Sequence, residues 1–174
     1  ECFSLTQEER KKVLELAVKV ADGKQVVAHV GAIGTGIACD LAAHAKKAGA
    51  DAIASVPPFY HGFQPGEIKG YYTAIADASD LPVIIYNVPG TTGVGLSLAQ
   101  FKDILSDDRV VAVKYTDVNY YTLDRIKKHT GAFIYSGADE CFAYALMAGA
   151  DGGIGTSMNY CTEKFIAIKE AFDK

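Results

Sequence analysis

Several features of specialised proteins are missing from this 174-residue sequence. It has only five prolines, and 49% of its residues are hydrophobic, which excludes a disordered chain or a collagen-like repeat. No stretch reaches the roughly 18 consecutive apolar residues that a membrane span requires. The net charge of −4 comes without a cluster of lysines and arginines, which argues against nucleic acid and anionic membranes as partners. We therefore expect one soluble globular domain that buries a sizeable core.

Cysteine is also scarce. The four cysteines are Cys2, Cys39, Cys141 and Cys161, and no pair of them has the C-x-x-C spacing. In a chain of this size, wide spacing favours free and mostly buried thiols over a disulfide framework. No group of cysteines and histidines has the spacing of a zinc site, so we expect no metal. Free thiols also make the cytoplasm the expected compartment.

The sequence does contain a regular alternation of two patterns. Six short runs are almost continuously apolar, which is typical of strands in a parallel sheet that is covered on both faces. These runs lie at 26–30, 52–56, 83–86, 110–114, 133–135 and 152–155. Helical periodicity predicts helices at 6–21, 37–48, 67–78, 97–106, 119–129, 140–148 and 160–173. Because strand and helix alternate throughout, we predict an α/β fold with parallel strands.

Two of the predicted helices begin with a capping box, in which two side chains bind the backbone of the first helical turn. Thr6 pairs with Glu9 at the first, and Ser97 pairs with Gln100 at the second. The first helix also has an apolar face, which is typical of a helix that packs against a sheet. That face consists of Val13, Leu16, Ala17 and Val20.

Two architectures fit the alternation, namely an open doubly wound sheet and a (β/α)8 barrel. Polar or reactive residues follow nearly every strand, at Gly31, Tyr60, Tyr86, Asn87, Lys114, Thr116, Asp139, Glu140, Thr156 and Ser157. An open sheet uses mainly its switch point, whereas a barrel draws on the ends of many strands around one mouth. We therefore predict that residues 1–174 form a single partial (β/α)8 barrel domain, with six of the eight strands and without either end.

Lys114 is the most informative of these residues because it closes a buried apolar strand. Burial favours the neutral amine of a lysine, which is the nucleophile that forms a Schiff base with a carbonyl compound. Alternatively, Lys114 extends its ammonium group into solvent. Tyr86 ends another strand, where its phenol either transfers protons beside an imine or simply packs and donates a hydrogen bond.

Two acidic residues, two glycine-rich runs and one histidine are further candidates for a functional site. Asp139 and Glu140 follow a strand, where they either bind the hydroxyls of a ligand or stabilise the start of a helix. The glycine-rich run at 152–156 suits a phosphate, another anion or hydroxyl groups. The run at 31–36 has the spacing G-x-x-G-x-G, which does not match a dinucleotide-binding loop. We interpret His29 as an interior histidine whose hydrogen bonds are satisfied.

Taken together, the motifs resemble those of one family. They are IYNVP at 85–89, VKYT at 113–116, GADE at 137–140 and AGADGGIG at 148–155, with VPPFY at 56–60 and the stretch at 1–10 in support. Their order and spacing are similar to those of the N-acetylneuraminate lyase and dihydrodipicolinate synthase superfamily. The resemblance extends over the whole chain.

The resemblance implies a class I aldolase on a (β/α)8 barrel, usually a homotetramer, that uses pyruvate through a lysine imine and needs no other cofactor. Lys114 matches the Schiff-base lysine, and Tyr86 matches the proton-transfer tyrosine. The positions that match contacts with the sugar-derived part of the substrate are Thr116, Gly137, Asp139, Glu140, Gly155 and Thr156. Tyr60 matches a tyrosine near a subunit contact, with a possible part in proton relay.

The implied reaction is the reversible cleavage of N-acetylneuraminate to N-acetylmannosamine and pyruvate. The lyase branch is favoured by the Asp139 and Glu140 pair and by Thr91, because the synthases have an arginine at that position. Ala138 departs from the aromatic residue that is common in lyases, so other sugar acids remain open. The alternatives are an aldolase for a 2-keto-3-deoxy sugar acid, the synthase itself, or a catalytically silent barrel piece that binds a ligand. By the same resemblance, the first two strands and the hydroxyl residues that hold the pyruvate carboxylate precede Glu1.

Overall fold

The fold, obtained as a computed structural model that describes residues 2–174, is built on one parallel sheet. Its six strands are β1 (Val27–His29), β2 (Ala52–Ser55), β3 (Val83–Asn87), β4 (Val110–Tyr115), β5 (Phe133–Ser136) and β6 (Gly152–Gly153). Each strand pairs with the next one along the chain, so the order in the sheet equals the order in the sequence. This arrangement is the β/α succession of a barrel rather than a doubly wound sheet, and it confirms the predicted architecture.

Helices connect the strands as predicted. They are α1 (Gln7–Val20), α2 (Thr35–Ala48), α3 (Pro65–Ser79), α4 (Pro89–Thr92), α5 (Leu98–Ile104), α6 (Tyr120–Thr130), α7 (Phe142–Met147) and α8 (Met158–Phe172). Both predicted capping boxes are present, at Thr6 and at Ser97. The short α4 was not predicted, and α7 is preceded by a 3-10 turn over Asp139–Cys141. Within residues 2–174, no helix combines the length and the apolar character needed to cross a membrane.

The main core lies between the sheet and the helices that cover its outer face. Its fully buried side chains include Ile53, Ile75, Phe101, Leu123 and Ile134. A smaller cluster lies on the opposite, inner face of the sheet and consists of Ala54, Ile84 and Ala112. Because side chains alternate along a strand, Tyr86 and Lys114 lie on the same inner face as Ile84 and Ala112.

The pairing of β3 with β4 contains one irregularity. Val83 pairs with Val110, but the next residue of β3, Ile84, pairs with Ala112. Val111 is therefore an extra residue in β4, as in a β-bulge. The bulge moves every later residue of β4 by one position relative to β3.

The exposure of the apolar face of α1 was not predicted. Val13, Leu16 and Val20 are 56–66% exposed, and no residue of α1 is buried. Among the residues that the structure describes, β1 has a neighbour on one side only, and α1 packs on α2 with Leu14 against the core. The apolar face of α1 therefore has no sheet to cover. The expected burial of the cysteines is wrong, because all four are free but only partly buried.

The carboxyl ends of β4 and β5 approach each other so closely that Gly137 has no room for a side chain. A Cβ atom there would lie 1.9 Å from Oγ1 of Thr116 and 3.2 Å from Cε of Lys114. The backbone N–H of Gly137 donates to the carbonyl of Tyr115 at 2.9 Å, so the backbone is held in place beside these side chains. The glycine is required by the close approach.

We expect Gly137→Ala to lower the free energy of unfolding by about 1–3 kcal/mol, because the added methyl group displaces Thr116 and Lys114. Urea denaturation measures this loss. Gly70→Ala in α3 is the matched control, since a Cβ atom at Gly70 meets nothing within 4 Å. Alanine favours a helix over glycine by about 1 kcal/mol, so this control should gain stability. Equal stability of Gly137→Ala and the wild type would contradict the steric argument.

Candidate active site

Lys114 and Tyr86 are direct neighbours across the β3–β4 ladder. They are register partners, and the Lys114 Nζ atom lies 4.0 Å from the centre of the Tyr86 ring. No carboxylate among residues 2–174 forms an ion pair with Lys114. The Lys114 side chain therefore lies against an aromatic ring, as in a cation–π contact, and no ion pair with a carboxylate among these residues competes for its amine.

Both side chains face one cavity of about 540 Å³, a size that suits a small organic ligand. Of the predicted site residues, the cavity wall contains Lys114, Tyr86, Gly155 and Thr156. It also contains Cys2, Phe3, His29, Val56, Val88, Thr91, Thr92, Ile154 and Asn159. Within the described part of the chain, Lys114 is the one lysine or arginine of this wall.

His29 forms one side of the cavity and differs from the satisfied interior histidine that we predicted. Its Nδ1 atom lies 3.2 Å from the Cys2 Sγ atom, but its buried Nε2 atom has no partner among residues 2–174. Its ring contacts the edge of the Tyr86 ring, with the ring centres 5.8 Å apart. Burial, reinforced by the positive charges of Arg10 and Lys114, lowers the pKa of His29 from 6.5 to about 3. The imidazole is therefore neutral at ordinary pH.

Thr116 and Gly137 lie beside Lys114 rather than in the cavity wall. The Thr116 hydroxyl oxygen is buried and has no hydrogen-bond partner among residues 2–174. Its backbone N–H donates to the Asn87 carbonyl at 2.8 Å and so extends the β3–β4 ladder. A buried hydroxyl without a partner is costly, and a ligand atom or a water molecule can satisfy it.

Asp139 and Glu140 begin the 3-10 turn after β5, and their environments differ. The Oδ2 atom of Asp139 accepts hydrogen bonds from the backbone N–H and the hydroxyl of Ser157, at 2.7 and 2.6 Å. Its Oδ1 atom is buried without a partner among the described residues. Glu140 is exposed and lies outside the cavity wall. Of these two carboxylates, only that of Glu140 belongs to an exposed residue.

Tyr60 lies away from the Lys114 cavity. It is 81% exposed, has a backbone φ of 84°, and packs edge-on against the His61 ring. It lines a separate surface cavity of about 470 Å³ with Phe63 and the loop after α4. Glu1, which the resemblance places in a Gly-Glu motif, lies outside the described residues. Within residues 2–174, no three or more His, Cys, Asp or Glu side chains are grouped so as to hold a metal ion.

Several cavity residues were not predicted from the sequence. Cys2 and Phe3 precede α1 and reach the cavity only through the path of the chain, so no local pattern marks them. Asn159 lies in the first turn of α8, where its distance from the nearest strand hides it from a reading of strand ends. Ser157, which the sequence placed among the polar residues after strands, contacts Asp139 but does not line the cavity.

The neutral state of His29 predicts a loss of stability in acid. The unfolded chain takes up a proton on this residue near pH 6.5, whereas the folded chain does so only near pH 3. The folded state therefore loses about 2 kcal/mol from this group between pH 7.5 and pH 5. Urea denaturation at both pH values should show that His29→Gln loses less stability than the wild type by this amount. The exposed His129→Gln is the control, and an unchanged pH dependence in His29→Gln would contradict the prediction.

Known proteins are similar to this chain in both sequence and structure. An N-acetylneuraminate lyase of Escherichia coli is 40% identical over 174 residues, covering 98% of this chain and 59% of that protein. The structure of a sialic acid aldolase from Ruminococcus gnavus, a catalytic lysine mutant, superposes with a TM-score of 0.94 at 34% identity. That comparison covers 99% of this chain and 58% of the other.

Synthases of the same fold superpose equally well. The dihydrodipicolinate synthase of Aquifex aeolicus has a TM-score of 0.92 at 32% identity, covering 97% of this chain and 59% of that one. The chain thus spans about three fifths of the length of these relatives. The model of the dihydrodipicolinate synthetase family matches residues 1–174. Since that match covers the entire sequence, the chain belongs to the dihydrodipicolinate synthetase family.

Proposed function

We propose that this chain is part of a class I aldolase that forms a lysine imine with pyruvate. The observation that carries this proposal is the pairing of Lys114 with Tyr86 on the inner face of the sheet, where both line one cavity. The named activities of the relatives support it, because they include lyases, aldolases and synthases that are similar along nearly the whole chain.

The chemistry follows from the two side chains. The Lys114 amine attacks the C2 ketone of the substrate, and loss of water gives an iminium ion. The Tyr86 oxygen takes the C4 hydroxyl proton while the C3–C4 bond breaks, and the bonding electrons move onto the iminium nitrogen to form an enamine. The aldehyde leaves, the enamine is protonated at C3, and water releases pyruvate from Lys114. No metal or organic cofactor enters this sequence, because the iminium ion accepts the electrons.

The preferred substrate is N-acetylneuraminate, cleaved to N-acetylmannosamine and pyruvate. The charge of the cavity wall supports a sugar acid over the substrate of the synthases. A substrate with a second carboxylate needs a second cation, and Thr91 stands where the resemblance places an arginine in the synthases. Thr156 and Asn159 instead offer neutral hydrogen-bonding groups, which suit the hydroxyls of a sugar. The resemblance assigns Glu140 and Thr116 to the aldehyde side, which is the part of the site that binds the departing aldehyde.

The assembly and the compartment belong to the same proposal. The complete protein is a homotetramer in which the exposed Tyr60 lies at a subunit contact, next to the loop after α4. The four free thiols support a reducing compartment such as the cytoplasm. Size-exclusion chromatography with light scattering tests the tetramer, and a monomer at micromolar concentration would contradict it.

Borohydride trapping tests the imine directly. Reduction in the presence of pyruvate should add one reduced pyruvate group to the peptide that contains Lys114. Lys114→Arg should add none, whereas Lys128→Arg on the exposed side of α6 should label like the wild type. Tyr86→Phe should still form the imine but cleave the sugar acid about 100-fold more slowly or worse, since it lacks the proton-transfer group. Unchanged labelling in Lys114→Arg would contradict the assignment of Lys114 as the imine-forming lysine. Absence of labelling in the wild type would favour the alternative that the chain is a catalytically silent barrel piece that binds a ligand.

Replacement of Glu140 tests the aldehyde side. Glu140→Gln should weaken sugar acid cleavage about 10- to 100-fold, because the neutral amide binds hydroxyls less strongly than a carboxylate. Its trapping with pyruvate should equal that of the wild type. Glu163→Gln, an exposed change on α8, is the control. Equal losses of trapping and cleavage in Glu140→Gln would contradict the division between the pyruvate side and the aldehyde side. A panel of aldehydes in the condensation direction then separates N-acetylmannosamine from the aldehydes of related aldolases.

A further inference from the structure

Asp139 joins two loops at the carboxyl edge of the sheet. It begins the turn after β5, and its Oδ2 atom accepts two hydrogen bonds from Ser157, which precedes α8. The distances of 2.7 Å from the backbone nitrogen and 2.6 Å from the hydroxyl are those of charge-assisted hydrogen bonds. A single carboxylate therefore connects the loop after β5 with the loop after β6.

Gly155 is shaped to receive this carboxylate. A Cβ atom at Gly155 would lie 1.5 Å from the Asp139 Oδ1 atom and 2.3 Å from its carboxyl carbon. The carboxyl group thus lies directly against the Gly155 backbone, where any side chain would displace it. Gly155 itself lines the Lys114 cavity, and so does the next residue, Thr156.

The segment from Ile154 to Ser157 has few hydrogen bonds to the rest of the sheet. β6 contains only two residues, and after it the Ile154 N–H donates to the Ser136 carbonyl at 2.9 Å. The carbonyl of Thr156 accepts from the Asn159 side-chain amide at 2.9 Å, a contact within the start of α8 itself. Ser157 begins α8 but makes no capping hydrogen bond with its own side chain. The helix is interrupted at Cys161, whose φ of −141° and ψ of 39° are not helical. The first turn of α8 is therefore separated from the rest of the helix. The Asp139 carboxylate holds the residue directly before this turn, because it accepts from both the backbone N–H and the hydroxyl of Ser157. A carboxylate at this end of a helix also suits the helix dipole.

We propose that Ser157 is a positioning residue, through which Asp139 holds Gly155 and Thr156 in the wall of the Lys114 cavity. Ser157 does not itself line the cavity, so it acts on a ligand only through Thr156 and Asn159. This inference rests on the proposed aldolase function, and it adds an indirect role of Asp139, through its Oδ2 atom, to the substrate contact that the resemblance implies. We call the contact between Asp139 and Ser157 the clamp. Loss of the clamp should weaken binding of the sugar part of the substrate without changing imine formation at Lys114.

The kinetic test separates this role from general destabilisation. Ser157→Ala should raise the KM for the sugar acid about tenfold, while the rate of borohydride trapping with pyruvate stays at the wild-type value. Ser157→Thr keeps the hydroxyl and should restore the KM. A variant that merely unfolds would lose trapping and cleavage together. Equal loss of both, or a wild-type KM in Ser157→Ala, would overturn the proposal.

A double-mutant cycle tests whether Ser157 and Asp139 act through each other. If they do, adding Ser157→Ala to Asp139→Asn should change the KM no further than about twofold, because the contact is already lost. If the two residues act independently, their effects should multiply, and that result would overturn the proposal.

Hydrogen exchange tests the clamp independently of catalysis. Asp139→Asn should accelerate amide exchange in the peptide 154–161, because the charged acceptor of the Ser157 N–H is lost. Asp173→Asn, an exposed change that follows α8, is the matched control and should leave this peptide unchanged. Wild-type exchange in Asp139→Asn would overturn the clamp. If the wild-type protein traps no pyruvate, the proposed aldolase function fails, and the exchange result alone decides whether the clamp exists.

Discussion

The ladder between β3 and β4 determines which side chains meet at the carboxyl edge of the sheet. Val111 adds one residue to β4, and beyond this bulge Tyr86 lies opposite Lys114. A shift of one position changes the face to which a side chain points, because the side-chain repeat of a strand is two residues. Without the bulge, the partner of Tyr86 would be Val113, whose side chain belongs to the outer core. The remaining features of the cavity are arranged around this pair.

Close approach of neighbouring strands explains two of the glycines at the site. Gly137 leaves space for Thr116, and Gly155 leaves space for the carboxylate of Asp139. In each case, a polar side chain from one βα loop occupies the volume that the next loop leaves empty. The atoms at the carboxyl edge of the sheet are thus packed as closely as those of a hydrophobic core, although the side chains there are polar. Such an edge is sensitive to the addition of a methyl group.

The sequence predicted the strands and helices well, because continuous apolar runs and helical periodicity are both local patterns. All six strands and the seven predicted helices lie within two residues of their observed bounds. The exposure of Val13, Leu16 and Val20 was not predicted, because helical periodicity reports that a face is apolar but not what covers it. The sequence predicted that Lys114 and Tyr86 lie near each other because both are close to the carboxyl ends of their strands, and these ends meet at one edge of a parallel sheet.

The sequence alone therefore determined the alternation of strands and helices and the polar residues at the strand ends, and its motifs resembled those of one family. These depend on periodicity and on residue types at fixed spacing, which a single chain displays directly. Only the tertiary structure decided that a bulge aligns Tyr86 with Lys114, that Cys2 reaches His29, and that Asp139 binds Ser157. These contacts join residues far apart in the chain, and their geometry depends on strand register and loop path rather than on any local pattern.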